Sequence, residues 1–204
     1  MLLYLILGFA LAFAAAVQPG PIQAYLVTQA LSHGWRRTLP AAFSPLVSDG
    51  PIIALVLLVL SRLPAQLLLA LRGAGGVFLL FLALVALRTW RGSDSGVAPP
   101  APSGRQNLLR ATIVNLLNPG PYLGWSLVMG PLLLKGWREA PAHGVALLVA
   151  FYATMVATQS GIVLLFASTR GLGPRVNRIL IGVSAAALAG LGVYQLAATA
   201  VQLR

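Results

Sequence analysis

Two interruptions of apolar sequence carry the chemistry of this chain: Gln18-Pro19-Gly20-Pro21 and, one hundred positions later, Asn118-Pro119-Gly120-Pro121. Proline has no N–H, and its ring displaces the carbonyl four residues back. Ala15 and Val17, and likewise Asn115 and Leu117, are therefore expected to present unbonded carbonyl oxygens. Oxygens of this kind receive an ammonium group or a cation, while the amides that begin the following half-helix offer partial positive charge to a carboxylate. Each break is thus equipped to grip both ends of a zwitterion. That makes Gln18, Pro19, Gly20, Pro21, Asn118, Pro119, Gly120 and Pro121 candidate substrate-binding residues, with a packing kink as the plain alternative.

Asp49 is the third feature, because it is the only acidic residue inside an apolar run long enough to span a membrane. A carboxylate near a bilayer centre costs about 2.5 to 3.5 kcal/mol on insertion scales, so a lipid-facing position is excluded. It is a candidate substrate-ammonium site and proton carrier, against the alternative of a carboxylate that merely orders its helix through local partners such as the Ser48 hydroxyl. Gln159, flanked by Thr158 and Ser160, occupies a comparable place in the second half and joins the candidate set, but it cannot carry charge. Tyr25, Gln29, Tyr122 and Trp125 follow the breaks and are either pocket walls or packing. His33 and His143 fall at span ends, where a solvated position is the default.

Enzymatic chemistry has little to work with. The chain contains no cysteine, and its apolar runs hold no central histidine, paired carboxylates or Ser/His/Asp set for a nucleophile or metal centre. No cofactor and no bound metal are expected.

The elements that position these residues follow from composition: 204 residues, 58% hydrophobic and 8% charged, against about a quarter charged in soluble domains. An all-α integral membrane protein is predicted, with spans near 2–31, 38–60, 66–87, 108–134, 142–168 and 178–202, each at or above the roughly 20 residues that cross a bilayer. Continuous Leu/Ala-rich runs exclude the short alternating strands of a barrel. The Ala14-Ala15-Ala16 run imitates a signal cleavage site, yet no basic residue precedes position 36 and apolar sequence resumes at Ile22, so the segment is expected to stay as the first span.

A Gly/Pro/Ser-rich stretch divides the chain into three-span units at 1–91 and 108–204, joined by a linker at 92–107. Landmarks recur in order: the two breaks, then Gly34-Trp35-Arg36 and Gly136-Trp137-Arg138, then Ser48-Asp49-Gly50 and Gln159-Ser160-Gly161. Three spans per unit turn the second copy upside down, giving six transmembrane helices as two inverted three-helix repeats in which helices 1 and 4 are the broken ones. Substrate would bind where the copies meet. Gly73, Gly75 and Gly76, with Ala186 and Gly190, read as close helix packing.

The net charge of +11 does not signal nucleic acid, because the basic residues sit singly or in pairs at the ends of apolar runs. Nine of the 14 Lys and Arg fall in the loops after spans one, three and five, and five fall on the opposite side. By the positive-inside rule the first side is cytoplasmic and both termini lie outside.

These residues resemble the lysine exporter (LysE/RhtB-type) family of small bacterial inner-membrane transporters. The likeness rests on Pro19-Gly20-Pro21, Gly34-Trp35-Arg36-Arg37, Asp49 and Asn118-Pro119, and covers nearly the whole chain. It implies proton-driven export of amino acids or related small solutes across the bacterial inner membrane, with Asp49 as the membrane acid and proton-coupling residue. Members often carry a polar residue after the first Pro-Gly-Pro and a basic one after Asn-Pro, where this chain has Ile22 and Gly120. A neutral amino acid or similar zwitterion is therefore expected in preference to lysine or arginine. The expected partners are that small molecule, protons, the lipid bilayer and possible further copies of the chain. The alternatives are a divalent-cation exporter of the same superfamily and a non-transporting membrane scaffold.

Overall fold

A computed structural model describes residues 1–58, 65–95 and 101–202. The end of the second expected span, Arg62, the middle of the linker and Arg204 lie outside the described residues. Those residues form helices and turns, with no strand among them.

Helix α1 (Leu2–Val17) stops where proline forbids its continuation. Gln18 turns extended (φ −62°, ψ 125°), and α2 (Pro21–His33) starts with proline at its first turn, where the missing N–H is no loss. The two helices meet at 65°. Gly34 then takes φ +78°, a left-handed conformation that suits glycine, and the chain continues through α3 (Trp35–Thr38) and a 3₁₀ turn (Leu39–Phe43) into α4 (Ser44–Leu58). Helix α5 (Ala65–Ser95) runs into the stretch read as linker.

The second half opens on α6 (Gly104–Leu116), fixed by a reciprocal capping box between Ser103 and Gln106. Its break repeats the first: Asn118 is extended (φ −86°, ψ 123°) and α7 (Pro119–Gly124) begins with proline. A π-helical turn (Trp125–Met129) leads into α8 (Gly130–Glu139), followed by α9 (Pro141–Ser168), a 3₁₀ turn (Thr169–Leu172) and α10 (Pro174–Gln202).

Among the described residues, four continuous helical stretches are long and apolar enough to cross a membrane, at Trp35–Val56, Leu69–Arg88, Pro141–Gly171 and Arg178–Gln202, and the bent α1–α2 pair makes a fifth. The run expected at 108–134 contains no such helix, because Asn118-Pro119 and the π turn divide it among α6, α7 and α8. In the four single spans only 28 to 39% of the most apolar window is buried within the protein. Large apolar side chains, including Val183 and Val193 of α10 and, in the bent pair, Ile6, Phe9 and Phe13 of α1, face outward. Such an apolar exterior is stable in lipid and not in water. The chain is a multi-pass membrane protein.

Helix α1 lies along α9, and α5 lies along α10. The second contact is made by glycines: a Cβ on Gly75 would fall 2.9 Å from Gln195 Oε1 of α10, and one on Gly76 or on Gly192 would fall 3.0 Å from the other's carbonyl oxygen. Gly190 meets nothing within 4 Å, and Ala186 is likewise exposed. The close packing expected of Gly75 and Gly76 is present, whereas that expected of Ala186 and Gly190 is corrected to Gly192.

Candidate functional site

The two breaks line one cavity of about 420 Å³. Gln18, Pro19, Gly20 and Pro21 face it from the first, and Asn118, Gly120 and Pro121 from the second, together with Asp49 and Gln159. Of the ten residues singled out in the sequence, Pro119 alone is absent from the wall; it is buried at the start of α7. The remaining wall is largely apolar, with Leu11, Ile22, Val128, Met129, Phe151 and Met155, and among the described residues it includes no Lys, Arg or His.

Asp49 is 4% exposed and draws donors from three directions. Trp125 Nε1 and the Tyr152 hydroxyl each donate to Oδ2 at 3.2 Å, and Asn115 Nδ2 donates to Oδ1 at 3.3 Å. Ser48 Oγ lies 3.4 Å from Oδ1; its hydroxyl donates to the Ser44 carbonyl at 2.9 Å and accepts from Asn115 Nδ2 at 2.7 Å. A buried carboxylate persists only when hydrogen-bonded in this way. The donors come from α6, the π turn and α9, so a carboxylate on α4 ties the second half of the chain around itself. Trp125 presents its N–H from a wide helical turn, a geometry that recurs at functional positions, and packs edge-on against Phe151 at 6.0 Å.

Gln159 differs. It is 1% exposed, its Nε2 has only the Met155 sulfur at 3.5 Å, and its Oε1 has no partner. An acceptor left so costs about 1 to 3 kcal/mol, which an arriving N–H group would offset.

The breaks are less open than proline chemistry alone predicts. Gln23 Nε2 donates to the Ala16 carbonyl at 3.0 Å and reaches that of Ala15 at 3.4 Å. The Asn115 carbonyl accepts from Asn118 N at 3.2 Å, and the Leu116 carbonyl accepts from the Tyr122 hydroxyl at 2.9 Å. Once the chain turns extended at Gln18 and Asn118, local donors swing within reach, so Ala15 and Asn115 do not stand free as expected. Asn118 is itself a cap: its Oδ1 accepts from Gly120 N at 3.1 Å. No side chain caps the start of α2, which leaves the Ile22 and Gln23 amides at the cavity as the candidate carboxylate contact.

The residues expected as pocket walls divide. Trp125 lines the cavity, Tyr122 braces its break, Tyr25 donates to Asn107 Oδ1 at 2.8 Å, and Gln29 pairs with His33 at 3.1 Å. Neither histidine is merely solvated, for His143 stacks on Tyr4 with ring centres 4.8 Å apart. The side chains of Asn115, Tyr152 and Gln23 carry no signal of their role in the sequence, where Asn115 stands out only for its carbonyl. Among the described residues no three His, Cys, Asp or Glu gather as metal ligands.

A bundle of apolar helices whose two proline breaks meet at a partly polar cavity, with a hydrogen-bonded carboxylate in its wall, is the architecture of a membrane transport protein. The model of the LysE type translocator family matches residues 13–199, and the chain belongs to that family. No curated protein and no solved structure matches it.

Proposed function

We propose that the protein is a proton-coupled secondary transporter that exports neutral amino acids or similar small zwitterions across the bacterial inner membrane. The observation that carries this reading is Asp49, an ionisable group in the wall of the cavity that both breaks line. The substrate ammonium lies in the field of Asp49 and donates to Gln159 Oε1, and the substrate carboxylate takes the uncapped amides of α2. The volume falls within the range of small-molecule sites, about 300 to 1,000 Å³. Leu11, Val128, Met129 and Phe151 suit an apolar side chain. A second positive charge on the substrate would find no second acid among the residues of the wall.

In this reading six spans form two inverted repeats, with α6, α7 and α8 together making the fourth. The packing supports it in outline: the first broken span lies against α9 as the second lies against α4, and α5 lies against α10. A reporter inserted near Ser95 is expected in the cytoplasm and one fused after Arg204 outside. Both reporters on one face of the membrane would exclude the inverted repeat.

Function is tested with purified protein in liposomes, against labelled amino acids and divalent cations under an imposed pH gradient. Gradient-driven flux of neutral amino acids, with lysine and metal ions excluded, is the expected result. Flux of metal ions alone would replace this reading with that of a cation exporter.

A further inference from the structure

Hydrogen bonds between the two halves of the chain fall at levels above and below the cavity as well as at Asp49. At one end, the Tyr4 hydroxyl donates to Glu139 Oε2 at 2.9 Å, which ties the start of α1 to the end of α8. Tyr4 is 4% exposed, and a Cβ on Gly136 would fall 2.8 Å from its ring. His143 stacks on the other side and lies 3.4 Å from the same Glu139 oxygen. At the other end, Asn107 on α6 is fully buried, accepts from the Tyr25 hydroxyl at 2.8 Å and donates from Nδ2 to the Arg37 carbonyl at 2.8 Å.

The two ties occupy equivalent places. Tyr4 and Asn107 stand 103 positions apart and Arg37 and Glu139 stand 102 apart, the spacing that separates Gly34-Trp35-Arg36 from Gly136-Trp137-Arg138. In each, the beginning of one half's broken span is bonded to the turn that follows the other half's broken span. The cavity-lining segments, from Leu11 to Gln23 and from Asn115 to Met129, lie between these ties along both broken spans.

We infer that Tyr4–Glu139 and Tyr25–Asn107–Arg37 are the two latches of alternating access, one closing each end of the cavity. The inference builds on the transport reading of the cavity, but it requires neither a particular substrate nor a proton. A transporter that opens to one face at a time must break ties across its halves at that face and keep those at the other. Identical placement of the latches in two inverted copies makes them mechanically interchangeable. The chemistry differs between them. The Tyr4 bond ends on a carboxylate at an exposed helix end, whereas the Asn107 bonds are neutral and buried, so the two ends open with different ease.

The chain contains no cysteine, so one introduced thiol reports alone. Gly124 lines the cavity and has open space where a Cβ would sit. Gly124→Cys is therefore labelled in vesicles of known sidedness with a charged maleimide, which lipid excludes. Adding Tyr4→Phe is expected to raise labelling from the face bearing Met1 by about fivefold, the scale of one lost hydrogen bond, with little change from the opposite face. Adding Tyr25→Phe is expected to do the reverse. Both substitutions keep the ring and its packing, and a thermal melt on each variant verifies that it is folded. Unchanged labelling in folded variants, or equal increases from both faces, would overturn the latches. That outcome would leave the transport reading standing, since labelling is measured without substrate. Absence of any solute flux in liposomes, by contrast, would overturn the transport reading and leave the labelling result intact.

Discussion

Asp49→Asn is expected to reduce the response of substrate flux to an imposed pH gradient by at least about tenfold while the protein remains folded. The amide preserves the volume of the carboxylate and one acceptor oxygen, so only part of the hydrogen-bond set must rearrange. If that oxygen faces Trp125 Nε1, which donates at 3.2 Å, the new NH₂ faces Asn115 and Ser48, and the Ser48 oxygen can accept. If the amide is reversed, the Tyr152 hydroxyl, at 3.2 Å, can rotate and accept instead. Either arrangement costs a charge-assisted bond, about 1.5 to 3 kcal/mol, which a bundle of this size survives. What the amide cannot do is take up and release a proton. Substrate counterflow, which needs no net proton movement, is expected to persist in the variant while gradient-driven flux collapses. Weakened affinity with an intact pH response would instead make Asp49 the ammonium site alone. Wild-type affinity together with a wild-type pH response would reduce Asp49 to a structural carboxylate.

How much of this site was legible in the sequence depended on whether a residue broke a rule by itself. Asp49 violates the apolar composition of its span, and the Pro-Gly-Pro elements violate helical continuity, so both stood out without a partner in view. Asn115, Trp125 and Tyr152 break no rule. An asparagine near a helix end and aromatic residues in membrane spans are ordinary, and their convergence on one carboxylate appears only when helices 66, 76 and 103 positions away are folded against it. Gln23 escaped notice because a glutamine in the first turn of a helix is unremarkable until that helix follows a break whose carbonyls need a donor. Asn118 shows the converse. Its amide was read as substrate-facing, but an asparagine before proline is also a natural helix cap, and that role occupies its oxygen. Spans two, three, five and six were legible because each keeps enough apolar sequence in continuous helix to cross a membrane. The fourth was drawn as one run although Pro119 and the π turn divide it, since hydropathy averages over a kink that backbone geometry does not.

Gly8→Leu is expected to be the most damaging substitution outside the cavity. A Cβ at Gly8 would lie 2.5 Å from the Leu147 carbonyl oxygen, 3.0 Å from Ala150 Cβ and 3.1 Å from Phe151 N. Two of these atoms belong to the backbone of α9 and cannot swing away, so α1 must separate from α9 along one of the most extensive helix contacts in the protein. Forcing methylenes into a packed interface costs about 1 to 3 kcal/mol and at times more, and leucine adds its whole side chain here. Gly161→Ala, on the same α9 but with nothing within 4 Å of its Cβ, is the matched control. It should be neutral or stabilising by up to about 1 kcal/mol, as alanine in place of glycine is in a helix interior. The cavity must change with the contact, because Leu11, Ala14, Ala15 and Gln18 line it from α1 and the adjoining break while Phe151, Met155 and Gln159 line it from α9. Thermal melts in detergent should therefore show Gly8→Leu destabilised and Gly161→Ala unchanged or improved, with transport lost only in the first. An unaltered melt for Gly8→Leu would mean that α1 and α9 are not in contact at this point, and the cavity between them would have to be redrawn.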